Sequence, residues 1–184
     1  MLNFDYLKND VMLEQLYRYC DTAEQRMTTE PEVSALNARR ALDWIVKSVY
    51  EMKGERVGER ASLFELTDGA VFRDFINDPE VMKAVHWVRK VGNQAAHDGS
   101  VSKGEAFYSL VNIYNVVKAI MLKLHRFDSI PDFDRTLIPE RPRRPRILVA
   151  RPAEAPKKKD ETPKQFAATV EHEVIEAAPA VVPN

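Results

Sequence analysis

Apolar side chains recur at steps of three or four residues along four stretches of the chain, and this spacing most narrows the possible folds. Residues this far apart lie on one face of an α-helix, so each stretch predicts an amphipathic helix. No stretch shows the clear apolar–polar alternation of a strand. The sequence therefore predicts an all-α fold, an antiparallel four-helix-type bundle with short extra helices. The two clearest stripes are Ala35, Ala38, Leu42, Ile45, Val49 and Met52, and Ala106, Leu110, Ile113, Val117, Ile120 and Leu124.

Residues that cap or begin helices mark the start of three of these stretches. Thr29 is predicted to cap the second helix, with Pro31 in the first turn. Asp78-Pro79 predicts the start of the third helix in the same way. Ser102 and Glu105 match the S-x-x-E capping box, in which each side chain accepts a hydrogen bond from the other residue's backbone, and they predict the start of the fourth.

The first stretch and the connection between the second and third are less regular. The segments SLFELTDG and VFRDFIND follow the two glycines of KGERVGER and are too short for long helices, so they predict one or two short ones. The first helix is expected to carry the following residues on one face: Phe4, Leu7, Val11, Leu16, Cys20, Ala23 and Met27.

Proline divides the chain into two regions of different composition. Nine of the eleven prolines lie at residue 131 or later, none of the six glycines does, and Phe166 is the one aromatic residue after Phe133. Such a composition supplies too little apolar surface to offset the entropy of ordering the chain. We expect a helical bundle over residues 1–128 and a Pro-rich tail or linker over 129–184, mostly disordered from about residue 140.

Composition excludes several classes of protein. The formal net charge is −1, so the overall charge does not indicate a nucleic-acid binder. Cys20 is the one cysteine, which cannot form an internal disulfide and fits a reducing compartment. No apolar run approaches the roughly 18 residues of a membrane span. The first residues lack the basic and apolar segments of a secretory signal, so we expect a cytoplasmic protein without a membrane partner.

The sequence lacks the motifs of several common chemistries. The phosphate-binding pattern G-x-x-x-x-G-K-[ST] is missing, and so is the acidic box of a helicase motor. His86 and His97 are eleven residues apart on one helix, and no H-E-x-x-H pair occurs. Cys20 lies on an apolar face, where a core thiol is the natural interpretation. We therefore expect no cofactor and no metal, and the chain gives no direct sign of being an enzyme.

A polar stripe follows one flank of the third helix, in the segment VRKVGNQAAHDG. Arg89, Asn93 and His97 are spaced four residues apart, with His86 one turn earlier, so they share one side of the helix. In a functional interpretation arginine holds a phosphate, asparagine orients it and histidine moves a proton. In a structural interpretation, which the residues alone favour, Asn93 and His97 satisfy backbone groups at a buried helix end and Gly99 ends the helix.

Three separated motifs resemble one known family. They are NARRALDWIVKSVYE, then SLFELTDG with FRDFI, and then VRKVGNQAAHDG followed by the long last helix. Together they look like the helical domain at the N-terminus of R-subunit-like proteins of type I restriction systems, where an A-R-R-A-L helix precedes a G-N-x-A-x-H helix. The resemblance covers roughly residues 3–125. It also implies a nuclease and an ATP-driven motor further along the chain, and neither has a motif in these residues.

That domain is in turn similar to the HEPN (higher eukaryotes and prokaryotes nucleotide-binding) helical domains, some of which are ribonucleases. Their catalytic pattern is an arginine followed, after four to six residues, by a histidine. Here seven residues separate Arg89 from His97, and Lys90 follows the arginine. This departure favours a non-catalytic module, with a HEPN-like, metal-independent ribonuclease using Arg89, Asn93 and His97 as the alternative.

Two groups of arginines are candidates for contacts with nucleic acid. Arg39 and Arg40 match the paired arginines of the family; adjacent on a helix, they cannot both face the core, and we expect one to be salt-bridged and one solvated. The second group lies in the stretch RPRRPRILVAR, which holds no acid, and consists of Arg141, Arg143, Arg144 and Arg146.

These observations predict a non-catalytic helical module of a prokaryotic restriction-modification or defence system, for protein assembly or DNA engagement. A third hypothesis is an adaptor that acts through its tail, where Phe166, Val170 and Val174 stand at helical spacing. The possible partners are DNA, RNA or other subunits of such a system.

Overall fold

The structure is a computed structural model that describes residues 2–97 and 99–140. Within these residues the fold is all-α, as predicted, and no strand occurs. Three single turns of 3₁₀ helix, at Asp5–Leu7, Val11–Leu13 and Arg135–Leu137, accompany the α-helices. The α-helices are α1 (Glu14–Arg26), α2 (Pro31–Met52), α3 (Leu63–Asp68), α4 (Ala70–Ile76), α5 (Pro79–His97) and α6 (Lys103–Lys123).

Helix starts follow the predicted capping chemistry in two places and depart from it in one. The Asp78 carboxylate accepts hydrogen bonds from the backbone N–H groups of Glu80 and Val81 at the start of α5. Ser102 and Glu105 form both bonds of the capping box at α6. Thr29, however, does not cap α2, because the capping position is Glu30 and its side chain accepts no backbone bond there.

The four long helices form the bundle. Helix α2 packs against α1, α5 and α6, and α5 packs against α6, while the short α3 and α4 fill the connection between α2 and α5. Short links join α1 to α2 and α5 to α6, as in an antiparallel bundle. Helix α6 is buried on two sides, which explains its two apolar stripes; its fully buried side chains include Leu110, Ile113, Tyr114, Val117 and Ile120.

The first predicted helix is shorter and less regular than its apolar pattern suggested. Residues before Glu14 form two separate 3₁₀ turns. Phe4, Leu7 and Cys20 are buried as expected, but Val11 is 85% exposed, because the break between the two turns rotates it away from the core.

The described part of the chain continues past the predicted boundary at residue 128, and residues 129–140 pack along the bundle. Ile130 and Ile138 are buried, and the Phe133 ring lies edge-on to Tyr114, with 5.3 Å between ring centroids. The Thr28 hydroxyl donates to the carbonyl oxygen of Pro139 at 2.8 Å. We call residues 129–140 the return segment. The predicted disorder of the tail concerns residues 141–184, which lie outside the described part of the chain.

A buried carboxylate fixes the return segment to the rest of the fold. Glu24 on α1 is fully buried and accepts hydrogen bonds from the backbone N–H of Asn3 at 2.9 Å and from its side-chain Nδ2 at 2.6 Å. Asn3 also binds Asp134, donating from Nδ2 to its carbonyl oxygen and accepting from its N–H. This Asn3–Glu24–Asp134 cluster joins three parts of the chain that are far apart in sequence.

Candidate functional site

The fold brings the two most distinctive sequence motifs into contact. Arg39, in the A-R-R-A-L motif of α2, donates a hydrogen bond from Nε to Oδ1 of Asn93 on α5 at 2.7 Å. Its aliphatic stem lies across Gly92, where an added Cβ would come within 2.3 Å of the Arg39 Cβ. Glycine is therefore required at 92 by the close approach of the Arg39 side chain. Asn93 is exposed. It therefore does not have the structural role predicted for it, which was to satisfy backbone groups at a buried helix end.

The contact with Asn93 uses one edge of the Arg39 guanidinium and leaves the other open. Neither terminal nitrogen of Arg39 has a hydrogen-bond partner among the described residues, and no carboxylate there forms an ion pair with Arg39 or Arg40. The expected salt bridge of one of these arginines is therefore absent from the described residues. A guanidinium held at one edge is pre-oriented to bind an oxyanion with the other.

Arg40 lies on a different side of α2 from Arg39. It lines a cleft of about 350 Å³ between α1 and α2, together with Tyr19, Trp44 and Glu51. Because adjacent residues on a helix are about 100° apart, one arginine faces α5 and the other faces α1. The predicted basic edge beside the α5 stripe is thus formed by Arg39 without Arg40.

Arg89 and His86 form a second small cluster on α5. The Arg89 guanidinium lies over the Phe64 ring of α3, 4.5 Å from its centroid, and one of its terminal nitrogens is 3.5 Å from His86 Nδ1. The Nε of Arg89 is buried without a hydrogen-bond partner in the structure. Arg89 is therefore held mainly by packing and by the aromatic ring, which leaves its positive charge without a neutralising carboxylate in the described residues.

His97 does not have the buried structural role predicted for it. It is the last residue of α5, its side chain is exposed, and it makes no hydrogen bond to another described residue. Gly99 does take the left-handed conformation expected after the helix, with φ of 64°. The helix therefore ends at the predicted place, but the glycine ends it without help from a buried histidine.

The side chains of the predicted stripe share one surface of α5, but they do not meet at one point. Arg89 and His97 are eight residues apart, or about 12 Å along the helix axis. Arg89 is engaged with Phe64, Asn93 accepts from Arg39, and His97 is exposed at the helix end. One chain therefore offers a row of separate polar groups along α5.

A wider basic surface surrounds this stripe. Residues 81–97 of α5 contain no aspartate or glutamate, while Lys83, Arg89 and Lys90 all lie there. At 100° per residue, Lys83, His86, Arg89, Lys90 and His97 fall within one sector of about 120° on the helix. We call these five residues with Arg39 the basic face. The acid-free run could have been found in the sequence by counting charge helix by helix.

Other chemical features of the described residues are sparse. No group of three or more His, Cys, Asp or Glu side chains is placed there to hold a metal ion. The Cys20 thiol is fully buried, and burial raises its pKa well above the ordinary value, so the residue behaves as a core thiol, as expected. None of the helices in this part of the chain is both long and apolar enough to cross a bilayer.

Comparisons with protein-family models, with curated proteins and with solved structures found no match to this chain. The arginines predicted at 141, 143, 144 and 146 lie outside the described residues.

Proposed function

We propose that this chain is a non-catalytic helical module of a prokaryotic restriction-modification or defence system that engages nucleic acid through the basic face. The assignment to such a system rests on the resemblance of the three sequence motifs. The engagement of nucleic acid rests on one observation. The exposed side of α5 carries cations without a carboxylate over residues 81–97, and Arg39 is held beside it by Asn93.

The geometry of the basic face suits a phosphate backbone. From Lys83 to His97 the helix rises about 21 Å, which matches several successive phosphates of one strand. Arg39 and Arg89 have guanidinium groups positioned by Asn93 and Phe64, so little side-chain entropy is lost when they bind an oxyanion. Lys83 has a carboxylate neighbour, Glu80 at 2.6 Å, but both side chains are more than 70% exposed and the pair is weak.

The tail arginines at 141, 143, 144 and 146 would add to this attraction without sequence preference. A run of five guanidinium groups over residues 141–151 with no acid follows a phosphate backbone by charge alone. In this proposal the basic face sets the position of the nucleic acid, and the tail adds to its affinity.

A metal-independent ribonuclease is the alternative, and the geometry favours it less. A general base and a phosphate-binding arginine must reach the same phosphodiester, within hydrogen-bond distance of the reacting atoms. Arg89 and His97 are separated by about 12 Å along α5, and Arg89 is held on Phe64. A single chain therefore does not bring these two side chains to one phosphate.

Fluorescence anisotropy with a labelled 30-base-pair duplex and the full chain, at low and moderate salt, tests the proposal. The variant Arg39→Gln/Arg89→Gln/Lys90→Gln should weaken binding by at least tenfold and reduce the salt dependence. The matched control Arg18→Gln/Arg26→Gln/Lys47→Gln removes the same charge from residues that form i,i+4 ion pairs on α1 and α2. If both variants lose the same affinity for the duplex, binding depends on net charge alone. This result would contradict the proposed role of the basic face.

A tail variant with Arg141, Arg143, Arg144, Arg146 and Arg151 changed to glutamine completes the design. It should weaken binding and leave the remaining affinity sensitive to Arg39 and Arg89. If the tail variant abolishes all binding and the basic-face variant changes nothing, the bundle takes no part. Incubation with single-stranded RNA without metal tests the alternative, since cleavage that His97→Ala abolishes would establish a ribonuclease.

A further inference from the structure

Two aromatic side chains stand exposed beside the basic face. Trp87 on α5 is 37% exposed and Tyr108 on α6 is 60% exposed. Their rings are in edge-to-face contact, with 6.3 Å between centroids and an interplanar angle of 76°. Phe107 continues the group and is itself covered by the Arg135 guanidinium. A contiguous group of exposed apolar side chains, unlike a single exposed ring, is typical of a surface that contacts a partner.

The position of Trp87 on its helix places cations on both sides of the ring. Lys83 lies one turn before Trp87 and Lys90 lies nearly one turn after, so all three residues share one face of α5. Two carboxylates lie near this face. Glu80 pairs with Lys83, and Glu105 accepts from the backbone and hydroxyl of Ser102 in the α6 cap. The surface therefore alternates apolar rings with positive charge.

This alternation matches unpaired nucleotides better than other partners. A nucleobase offers a flat face that stacks on an aromatic ring, and the phosphates on either side of it are neutralised by nearby cations. In a duplex the base faces are covered by their neighbours, so exposed rings add nothing to binding there. An amphipathic protein helix would cover the rings, but it would leave the ammonium group of Lys90, which forms no ion pair among the described residues, without a counter-charge unless it also carried acids.

We propose that Trp87 and Tyr108 form a stacking platform for unpaired nucleobases, which makes the basic face prefer single-stranded nucleic acid over duplex. This inference rests on the proposed function and names its substrate class. Stacking does not read the 2′-hydroxyl, so single-stranded DNA and RNA are both substrates of the same surface.

The first test measures affinity with the full chain and three labelled probes: a dT 20-mer, a rU 20-mer and a 20-base-pair duplex. The two single strands should bind about tenfold more tightly than the duplex at the same salt. Trp87→Ala should remove about tenfold of the affinity for single strands and change duplex binding by less than twofold, while Trp87→Phe should retain most of it. Similar affinities for dT and rU are expected, and a clear preference would identify the strand that the platform serves.

The second test observes the contact directly. The chain has two tryptophans, Trp44 and Trp87, so Trp44→Phe leaves Trp87 as the one indole. Addition of the dT 20-mer should quench the Trp87 emission, because a stacked base quenches indole fluorescence. In the reverse variant, Trp87→Phe, the remaining Trp44 lies on the other side of α2 in the cleft with Arg40, and its emission should stay unchanged.

The outcomes separate this inference from the proposed function. Equal affinities for single strands and duplex that are unaffected by Trp87→Ala would overturn the platform and leave the basic face in place. Absence of binding to all three probes would overturn both. A wild-type chain that self-associates in sedimentation, and becomes monomeric with Trp87→Ala, would show that a second copy covers the rings and would overturn the platform.

Discussion

Two polar clusters join parts of the chain that are far apart in sequence. One of them is buried in the fold, and the other lies at the surface. The Asn3–Glu24–Asp134 cluster is buried, and its carboxylate accepts both N–H groups of Asn3 at 2.6 and 2.9 Å. The Arg39–Asn93 contact lies at the surface, and it uses one edge of a guanidinium that is otherwise open. Most donors and acceptors of the first cluster are consumed by the fold, whereas the second leaves donors facing outward.

This difference separates the polar residues that hold the fold together from those that can bind a partner. A buried hydrogen bond whose partner is removed leaves an unsatisfied group, at a cost of about 1–3 kcal/mol. An exposed group can return to water when its partner is removed, so the same change costs little. Stability should therefore depend on Asn3, Glu24 and the return segment, and binding should depend on the basic face.

The largest expected effect comes from removing the return segment. A chain ending at residue 128 loses the buried side chains of Ile130 and Ile138 and uncovers Tyr114. It also removes both bonds between Asn3 and Asp134. We expect the melting midpoint to fall by on the order of 10 °C relative to a chain ending at residue 140, measured by circular dichroism. The chain ending at 140 should melt within a few degrees of the full chain. Equal midpoints for the 128 and 140 chains would mean that the segment packs without contributing stability.

The next largest effect is expected from Glu24→Ala. The change leaves the backbone N–H and the Nδ2 group of Asn3 without their acceptor in a buried site, which should lower the free energy of unfolding by about 3 kcal/mol. The control is Glu14→Ala on the same helix, where an exposed carboxylate pairs with Arg18, and the expected loss is below about 1 kcal/mol. Chemical denaturation measures both, and similar losses would show that burial does not distinguish the two carboxylates.

The pH dependence of stability offers a finer test of the buried cluster. Burial raises the pKa of Glu24 above its ordinary value of 4.5, and the Asn3 hydrogen bonds oppose this in part. The folded chain therefore keeps the proton to a higher pH than the unfolded chain, so this group's contribution to stability is complete below about 4.5 and declines as pH rises through the folded pKa. Glu24→Gln removes the titrating carboxyl group. Its unfolding free energy should rise relative to wild type between pH 4.5 and pH 7, and a constant difference would show that Glu24 titrates normally.

A smaller effect is expected at the surface contact, from Gly92→Ala. Alanine would gain up to about 1 kcal/mol of helix propensity, but its Cβ would come within 2.3 Å of the Arg39 side chain. Because the nearest atom is the Arg39 Cβ, the clash cannot be relieved at the flexible end of the side chain. We expect a net loss of about 1–2 kcal/mol. Gly104→Ala in the first turn of α6, where the nearest atom is 3.9 Å away, should instead stabilise slightly. A gain in stability at both positions would show that the Arg39 side chain does not lie across Gly92.

The sequence predicted the helices well because their periodicity and capping residues are local. The α2, α5 and α6 spans and the turn at Gly99 depend on contacts within a few residues, which spacing and glycine reveal. The return segment was missed because its pattern is not periodic. Its few apolar residues are buried by packing against α6 and the N-terminal residues, which only the tertiary fold brings near.

The residues of the candidate site could be predicted from the sequence, but the contacts between them could not. Arg39, Asn93, Arg89 and His97 were recognised from spacing and resemblance, but the Arg39–Asn93 bond joins residues 54 positions apart. Whether a polar residue near a helix end is buried depends on what covers that end. For Glu24 the cover is Asn3 and the return segment, while the described residues provide no such cover for His97.

The smallest expected effect concerns His97, and it bears directly on the contrast between the two clusters. Because the side chain is exposed at the end of α5 and donates to no described residue, His97→Ala leaves no buried group unsatisfied. Alanine also has the higher helix propensity, so the free energy of unfolding should change by less than about 0.5 kcal/mol. Asn37→Ala on α2 is the control, since that buried amide donates to the Val33 carbonyl at 2.8 Å and should lose more. A loss above about 1 kcal/mol for His97→Ala would contradict an exposed side chain and would show that His97 contributes to stability as Glu24 does.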